Sequence, residues 1–172
     1  MTFETISFYF SQYGLLAIFV IVLLEYMNLP GFPAGIIMPL AGIFAANGRI
    51  SFIIALLVSV AAGLVGSWIL YFIGLKGGEL FLKAYLKKFP KHRAAIEKNL
   101  ELIRSKGSVG VFTAKLIPMI RTLISIPAGV TRMDFMKYTV SSTLGILIWN
   151  LVFVGAGYLL GDAVFGYLGM AV

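Results

Sequence analysis

Four uncharged runs dominate the pattern of hydrophobic and polar positions along this chain of 172 residues, at 5–24, 26–48, 50–75 and 138–161. Each is about as long as the 20 or so residues of helix that cross the hydrocarbon core of a bilayer. A soluble core does not produce four such runs in so short a chain. The pattern therefore predicts an all-α polytopic membrane protein with a single membrane domain over 1–172.

Two of the apolar stretches have the composition of plain spanning helices. The first, 50–75, reads ISFIIALLVSVAAGLVGSWILYFIGL, and the second is predicted at 136–160. A first helix is predicted over 5–28, where it meets a group of prolines. The span at 50–75 also carries small residues that we interpret as positions for close helix packing: Ala61, Ala62, Gly63, Gly66 and Ser67.

Two further segments, 29–48 and 107–131, are apolar but contain helix breakers. A proline inside a helix removes a hydrogen bond and clashes with the preceding turn, at a cost of about 3 kcal/mol. Non-helical backbone is tolerated at membrane depth only inside protein or along a water-filled cavity. We therefore predict that each segment is a re-entrant helical hairpin, which enters and leaves on one membrane face. The residues expected to shape these hairpins are Pro30, Pro33, Pro39, Gly42, Pro118, Pro127 and Gly129.

The two predicted hairpins follow one pattern. Pro39 begins a Pro-Leu-Ala-Gly run and Pro127 begins a Pro-Ala-Gly run, and a predicted spanning helix follows each. Weak repeats with interrupted hydrophobic segments are typical of secondary transporters, whose binding site lies near the membrane midplane, where the broken helices meet. The pattern indicates an inverted-repeat, transporter-like fold with two opposed hairpins.

The positive charge is concentrated in one part of the chain, 76–106, which we call the basic segment. It holds nine of the 14 Lys and Arg residues, and the net charge of the whole chain is +7. Apolar and basic residues alternate there at helical spacing, which predicts amphipathic helices broken at Pro90. The positive-inside rule places this segment in the cytoplasm, against an anionic lipid surface. A nucleic-acid partner is the weaker interpretation, and we expect none.

Glu25 is the only charged residue between Glu4 and Arg49. An ionised carboxylate deep in a membrane is costly, so it must be protonated, hydrated or paired. Removal from water favours the protonated form of a carboxyl group, which suits a residue that exchanges protons. We predict that Glu25 couples transport to protons. The simpler interpretation is a residue that caps a helix end at the outer interface.

Two cations, Lys115 and Arg121, lie in the second predicted hairpin, in the run AKLIPMIRT. Six residues apart on an unbroken helix, they would diverge by about 240°, but Pro118 between them removes that constraint. The planar guanidinium of arginine suits a phosphate, and lysine supplies a point charge. We predict that both residues bind the substrate. The simpler alternative is that one of them, Lys115 in particular, reaches the cytoplasmic headgroups.

The residue inventory disfavours several kinds of chemistry. The chain has no cysteine, so it has no disulfide and no thiolate ligand. Its one histidine, His92, lies in the basic segment without ligand partners nearby. We therefore expect no metal, no cofactor and no catalytic residue, and an enzyme acting on lipid phosphates is disfavoured. A non-transporting assembly factor is disfavoured as well, because it has no need of charges inside the membrane.

Two runs of the sequence follow the pattern of a known family. One begins at Glu25 and ends in Ala41-Gly42, and the more specific one is FTAKLIPMIR at 112–121. Over 10–162 the chain resembles the DedA family, the bacterial branch of the VTT-domain (SNARE-associated) membrane proteins. Single positions continue the match at Ala128, Gly129, Met133, Phe135, Gly145 and Trp149.

This resemblance implies opposed re-entrant hairpins in a multi-pass protein of the bacterial cytoplasmic membrane. It also implies movement of lipids that carry phosphate headgroups, polyprenyl phosphates or phospholipids, with dependence on the proton gradient. By the same resemblance Glu25 matches the essential acid of the first hairpin. Lys115 and Arg121 match the two basic positions of the second, of which the first is usually Arg.

One departure from the family pattern concerns the first hairpin. Relatives often carry a second acid there, in a Pro-Gly-Asp or Pro-Gly-Glu run, whereas this chain has Pro33-Ala34-Gly35. Without a second acid in this hairpin, we expect at most one proton to be coupled to each transport cycle. We therefore predict a membrane lipid transporter or flippase, with a passive lipid scramblase as the alternative. Both a monomer and a homo-oligomer are compatible with the sequence.

Overall fold

The computed structural model describes residues 13–27, 37–47, 50–118 and 120–167, and these residues form helices joined by short turns, without a β-strand. The chain is thus all-α over the described residues, as predicted. A 3₁₀ turn at Pro90–His92 joins the third helix to the fourth. The α-helices are α1 (Leu15–Tyr26), α2 (Ile37–Ala46), α3 (Phe52–Lys88), α4 (Arg93–Lys115), α5 (Ile120–Leu123), α6 (Ser125–Val130) and α7 (Phe135–Tyr167).

Two helices are long and apolar enough to cross a membrane. They are Phe52–Leu80 of α3 and Phe135–Gly161 of α7, with mean hydropathies of 2.4 and 1.9. These helices confirm the two apolar spans that the sequence predicts at 50–75 and 136–160. Large apolar side chains such as Leu57 and Leu144 are exposed along them, as expected of surfaces that face lipid tails.

The chain divides into two compact units, which we call unit 1 and unit 2. Unit 1 comprises residues 1–25, 29–63 and 147–172, and unit 2 comprises residues 26–28 and 64–146. Unit 1 therefore holds α2 and the later part of α7. Unit 2 holds the later part of α3, all of α4, α5 and α6, and the start of α7.

In unit 1, α2 packs against α7 through a pair of glycines. A Cβ atom at Gly42 would lie 2.0 Å from the carbonyl oxygen of Val154 and 2.7 Å from the nitrogen of Tyr158. A Cβ atom at Gly157 would lie 2.0 Å from the carbonyl oxygen of Pro39. No side chain fits at such distances, so the two backbones approach this closely only because both residues are glycine.

Unit 2 makes the same kind of contact between α6 and α3. A Cβ atom at Gly129 would lie 2.0 Å from the carbonyl oxygen of Tyr71 and 2.7 Å from the nitrogen of Leu75. A Cβ atom at Gly74 would lie 2.3 Å from the carbonyl oxygen of Ile126. The short helix α6 is thereby held against the long helix α3.

Two glycines with left-handed backbone set off the basic segment. Gly78 kinks α3 and Gly107 kinks α4, both at φ of 54°. All nine lysines and arginines of the basic segment are exposed, eight of them between these kinks and Lys76 just before Gly78. The apolar face of α4 is buried in unit 2 through Ile96 and Ile103. The segment is therefore amphipathic, with its cations directed away from the unit 2 core.

Candidate anion-binding site

Lys115 is the last residue of α4, and its side chain is only 1% exposed. Its Nζ atom donates hydrogen bonds to Ser67 Oγ at 2.8 Å and to Ser125 Oγ at 3.1 Å. Ser67 lies on α3 and Ser125 begins α6, so hydrogen bonds to two other helices hold the side chain. Gly145 of α7 lies against its stem, since a Cβ atom there would lie 2.4 Å from Lys115 Cβ. The side chain is thus locked inside unit 2 rather than extended toward headgroups.

Arg121 is the second residue of the short helix α5 and is also 1% exposed. Its guanidinium carbon lies 4.4 Å from the centroid of the Tyr26 ring, and Lys115 Nζ lies 5.9 Å from the same centroid. Both distances are within the range of cation–π attraction, which strengthens where water is excluded. Lys115 and Arg121, which we call the cation pair, therefore converge on one aromatic ring.

The convergence depends on a break in the helix between the two cations. α4 ends at Lys115, a turn follows at 116–118, and α5 begins at Ile120. The backbone N–H of Arg121 donates to the carbonyl of Ile117 at 3.0 Å, so helical hydrogen bonding resumes directly after the break. On a continuous helix the two side chains would diverge by about 240°, and the interruption near Pro118 is what brings them together.

An aromatic layer lies behind the serine that Lys115 contacts. Tyr138 is buried and its hydroxyl donates to the carbonyl oxygen of Ser67 at 3.1 Å. Its ring stacks on Tyr71, with the centroids 4.6 Å apart. The Tyr71 hydroxyl in turn donates to the carbonyl of Met133. This layer fixes the backbone of Ser67 and hence one of the two acceptors of Lys115.

Glu25 belongs to unit 1 and is 3% exposed. It directly precedes Tyr26, the residue on which the cation pair converges. Burial of this degree requires the carboxyl group to be protonated or to have partners. Unit 1 also buries a neutral polar pair on its long helices, in which Asn150 Nδ2 donates to Ser59 Oγ at 3.0 Å.

The three charged residues singled out from the sequence share one property. Among the charged side chains whose burial the structure describes, Glu25, Lys115 and Arg121 are buried, and every other Lys, Arg, Asp or Glu of that set is exposed. Because a buried charge is costly, it persists where function or a strong partner requires it. The roles of these residues in transport stay predictions.

The predicted hairpin-shaping residues have different environments. Pro39 lies within α2, Pro118 is exposed at the break, and Pro127 is buried within α6. Gly42 and Gly129 form the close helix contacts described above. The remaining two, Pro30 and Pro33, lie outside the described residues, as do the start of the predicted first helix and residues 29–36 of the first hairpin.

Sequence reasoning missed four residues of the site: Tyr26, Ser67, Ser125 and Tyr138. Ser67 was interpreted as a packing residue, yet its hydroxyl is also an acceptor for Lys115. The available signal was a hydroxyl group inside a long apolar span, which is weak because serine also serves close packing. Among the described residues, no group of three or more His, Asp or Glu side chains is placed to hold a metal ion.

The chain matches the VTT domain over residues 29–159. It is 35% identical to undecaprenyl phosphate transporter A of Bacillus subtilis (strain 168), over 76% of this chain and 66% of that protein. It is 33% identical to undecaprenyl phosphate transporter A of Staphylococcus aureus (strain NCTC 8325 / PS 47), over 96% of this chain and 82% of that protein.

A third relative is named after an enzyme rather than a transporter. The chain is 29% identical to an alkaline phosphatase-like protein of Lactococcus lactis subsp. cremoris (strain MG1363), over 88% of this chain and 73% of that protein. No solved structure matches the chain. The domain match covers most of the chain, and this protein belongs to the VTT-domain family, the family of the bacterial DedA proteins.

Proposed function

We propose that this protein is a membrane transporter of lipids that carry a phosphate headgroup, with polyprenyl phosphate or a phospholipid as substrate. The single observation that carries the proposal is the convergence of Lys115 and Arg121, both buried, on the ring of Tyr26. Two relatives with at least 33% identity are named undecaprenyl phosphate transporters, which supports the same substrate class.

The chemistry of the cation pair suits a phosphate. The guanidinium of Arg121 offers a planar set of donors that can engage two phosphate oxygens, and Lys115 adds a second charge. Ser67 and Ser125, which accept hydrogen bonds from Lys115, can also donate their own hydroxyl protons to an anion. A bound phosphate would thus offset the cost of burying two cations, while the lipid tails stay in the bilayer.

The membrane arrangement that we propose keeps the two opposed re-entrant hairpins, at 29–48 and 107–131. The two glycine contacts support it, because each unit holds a short helix of a predicted hairpin against a long apolar helix in the same way. Cysteine labelling on the cysteine-free chain tests the topology. Positions 29 and 48 should both label from outside, and labelling of position 48 from the cytoplasm would refute the first hairpin.

Proton coupling is the next part of the proposal, and Glu25 is the residue assigned to it. A carboxyl group removed from water is favoured in its protonated form and ionises when it finds water or a cation. Glu25 is buried in a helix that is otherwise apolar, so it can change its protonation state as its surroundings change during transport. The alternative function is that of a passive scramblase, in which lipid movement is not coupled to protons.

The basic segment has a separate role in the proposal. Its exposed cations lie on amphipathic helices whose apolar face is covered by unit 2, so they are available to anionic headgroups. We assign this segment to the cytoplasmic face of a bacterial plasma membrane. This contact would hold the protein at the surface but would not select the transported lipid.

A phosphatase activity is the competing function, and one relative's name raises it. Enzymes of this kind need a nucleophile and an acid next to the phosphate. The Nδ1 atom of His92 lies 2.8 Å from the hydroxyl of Tyr85 in the basic segment, and no histidine is among the described contacts of the cation pair. We therefore propose that the protein is not an enzyme.

Reconstitution tests the proposed function. Purified protein in liposomes should move fluorescent polyprenyl phosphate or phospholipid across the bilayer, measured by protection from a quencher, and its activity should be compared with and without a pH gradient. Empty liposomes and liposomes containing the Arg121→Ala variant are the controls. Equal rates for all three would overturn the transporter assignment. Release of inorganic phosphate by the wild type alone would support the enzyme instead.

A further inference from the structure

The basic segment is joined to the rest of unit 2 through two glycines with unusual backbone angles. Gly78 has φ of 54° and ψ of −151°, and Gly107 has φ of 54° and ψ of −125°. Residues with a side chain rarely adopt such angles, whereas glycine does so without a steric penalty. A Cβ atom at either position would meet nothing within 4 Å among the described residues. The turn of the backbone, and not close packing, therefore requires glycine near both ends of the segment.

Between these two glycines the segment packs on the short helix α6 with apolar side chains. Ile96 belongs to one buried cluster with Ile126 of α6, and Ile103 belongs to a second cluster with Ala128 of α6. Ile126 directly follows Ser125, whose hydroxyl contacts the cation pair. The basic segment thus covers the helix that carries part of the anion site.

One polar residue interrupts this apolar contact. Asn99 lies three residues after Ile96 and four before Ile103, which places all three on one face of α4. Asn99 is 0% exposed, and neither atom of its side-chain amide has a hydrogen-bond partner among the residues that the structure describes. An amide group can form up to four hydrogen bonds, and burial without any partner is unfavourable. Asn99 therefore weakens the contact between the segment and α6.

Two effects of opposite sign act when the segment lifts from α6. The amide of Asn99 becomes hydrated, which favours the lifted arrangement. Ile96 and Ile103 lose their apolar surroundings, which favours the closed arrangement. The closed arrangement is consequently less stable, relative to the lifted one, than it would be with an entirely apolar contact.

We propose that the basic segment is a hinged lid, which turns about Gly78 and Gly107 and uncovers α6 as lipid enters and leaves the anion site. The motion is argued from the hinges and the weakened contact, and its part in lipid passage rests on the proposed function. Asn99 has a defined task in this device, because it keeps the closed lid from becoming too stable to open.

The first test measures how often the lid opens. Full-length protein with the substitution Ile96→Cys is placed in nanodiscs, where the buried thiol should react with a water-soluble maleimide only when the lid is open. Asn99→Leu exchanges the amide for an apolar side chain of the same branching. It should slow this reaction about tenfold, as expected from the loss of one unpartnered buried amide. Since Ile96→Cys is present in both proteins, its own effect on the lid cancels.

Two controls accompany this measurement. Ile103→Leu alters the shape of the same face without removing a polar group, so it should not slow the reaction. Ser105→Cys places a thiol at an exposed position, and this thiol should react equally fast with and without Asn99→Leu. Equal reaction rates of the Ile96→Cys protein with and without Asn99→Leu would overturn the proposed lid.

A second measurement changes only position 99 within the lid contact. Spin labels at Glu97→Cys on the lid and Lys137→Cys on α7 occupy exposed positions, and the chain has no other cysteine. Asn99→Asp introduces a carboxylate whose burial is costly, so it should populate a second, longer distance between the labels. Asn99→Leu should leave the shorter distance alone. Identical distance distributions for both variants and for the protein with Asn99 would overturn the proposal.

Transport measurements separate the lid from the proposed function. In liposomes, Asn99→Leu should slow the movement of polyprenyl phosphate by about the same factor as it slows the maleimide reaction. Slower labelling with unchanged transport would overturn the part of the lid in lipid passage, while the anion site would stand. If the unaltered protein moves no lipid, the proposed function fails and that part fails with it, whereas the labelling rates still decide whether the lid moves.

Discussion

Unit 1 and unit 2 each hold a short helix against a long one through two glycines. In unit 1 the glycines are Gly42 and Gly157, and in unit 2 they are Gly129 and Gly74. The spacing is the same in both. Each glycine of the short helix contacts residues that lie three before and one after the glycine of the long helix, and each glycine of the long helix contacts the carbonyl three residues before its partner.

The polar side chains buried next to these contacts differ between the units. Seven residues before its glycine, the long helix of unit 1 carries Asn150 and that of unit 2 carries Ser67. Asn150 donates to another neutral side chain, Ser59, whereas Ser67 accepts from the cation Lys115. The glycines therefore determine the helix packing, and the polar side chains buried beside them determine the chemistry. Substitutions of the glycines should mainly change stability, and substitutions of the polar side chains should mainly change lipid binding.

The largest effect is expected from removing the planar cation of unit 2. Arg121→Ala should reduce lipid transport to the background of empty liposomes, because loss of one buried partner in a charge-assisted contact costs about 2–5 kcal/mol. Arg121→Lys should restore transport only in part, since a lysine cannot engage two phosphate oxygens in one plane. Quencher protection in liposomes with matched protein content measures both.

The control for this prediction is a cation outside the buried site. Arg104→Ala removes an exposed arginine of the basic segment and should leave the transport rate within about twofold, since exposed charges contribute little. Near-normal transport by Arg121→Ala and by Lys115→Ala would show that the cation pair does not bind the transported phosphate.

The sequence identifies the charges of this site better than its neutral parts. Glu25, Lys115 and Arg121 stand out because a charge within an apolar run is costly, so each demands an explanation. Tyr26, Ser67 and Ser125 do not, since tyrosine and serine are common in membrane helices for packing reasons alone. Their role depends on the break near Pro118, which determines where the two cations point, and a sequence does not specify that geometry.

The same limit applies to the fold. The spans at 50–75 and 136–160 follow from composition. However, α3 continues to Lys88 into the amphipathic basic segment, which has no hydropathy signal, and α7 continues to Tyr167. Gly42 and Gly129 stood out beside prolines, whereas their partners Gly74 and Gly157 lie inside apolar spans where a glycine is ordinary. Pairing between distant helices is tertiary information.

The next largest effect concerns the glycine contacts themselves. Gly42→Ala and Gly129→Ala each place a methyl group 2.0 Å from a backbone oxygen, so the helices must separate. We expect each variant to lose about 1–3 kcal/mol of stability, the usual cost of overpacking. Gly129→Ala should in addition weaken binding of polyprenyl phosphate, because the displaced α6 carries Ser125.

Gly155→Ala is the matched control, because a Cβ atom at this position has no atom within 4 Å. It should be nearly neutral or slightly stabilising, as alanine favours a helix over glycine by about 1 kcal/mol. Thermal unfolding in detergent compares the three variants, and lipid titration separates stability from binding. Equal loss of lipid binding in Gly42→Ala and Gly129→Ala would contradict the assignment of lipid binding to unit 2.

A smaller and more specific effect is expected at the buried acid of unit 1. Glu25→Gln should preserve the fold and the binding of polyprenyl phosphate but abolish the acceleration of transport by a pH gradient, since an amide cannot exchange a proton. The measurement is the ratio of rates with and without the gradient. The pH on the lipid-donor side is kept constant, so that lipid binding is measured under the same conditions in both cases.

Glu79→Gln provides the control for the acid, as this glutamate is exposed in the basic segment and its loss should leave the ratio unchanged. Should the Glu25→Gln variant keep the full response to the gradient, Glu25 is a helix-end residue that does not couple transport to protons. The cation pair of unit 2 would then be the remaining difference in transport chemistry between the two units. A wild type without any response to the gradient would be a passive scramblase.

The smallest effect separates two buried serines whose hydroxyls each accept a hydrogen bond from a side chain on another helix. Ser67→Ala removes an acceptor of Lys115 in unit 2, and Ser59→Ala removes the acceptor of Asn150 in unit 1. Each should cost about 0.6 kcal/mol of stability, the average for hydrogen bonds between membrane helices. Only Ser67→Ala should also weaken binding of polyprenyl phosphate, by about threefold for a comparable free energy, because Lys115 loses one of the groups that fix its position. Titration of both variants in nanodiscs with polyprenyl phosphate measures the two affinities. A threefold loss in both, or in neither, would mean that the Ser67 hydroxyl has no specific part in binding the lipid.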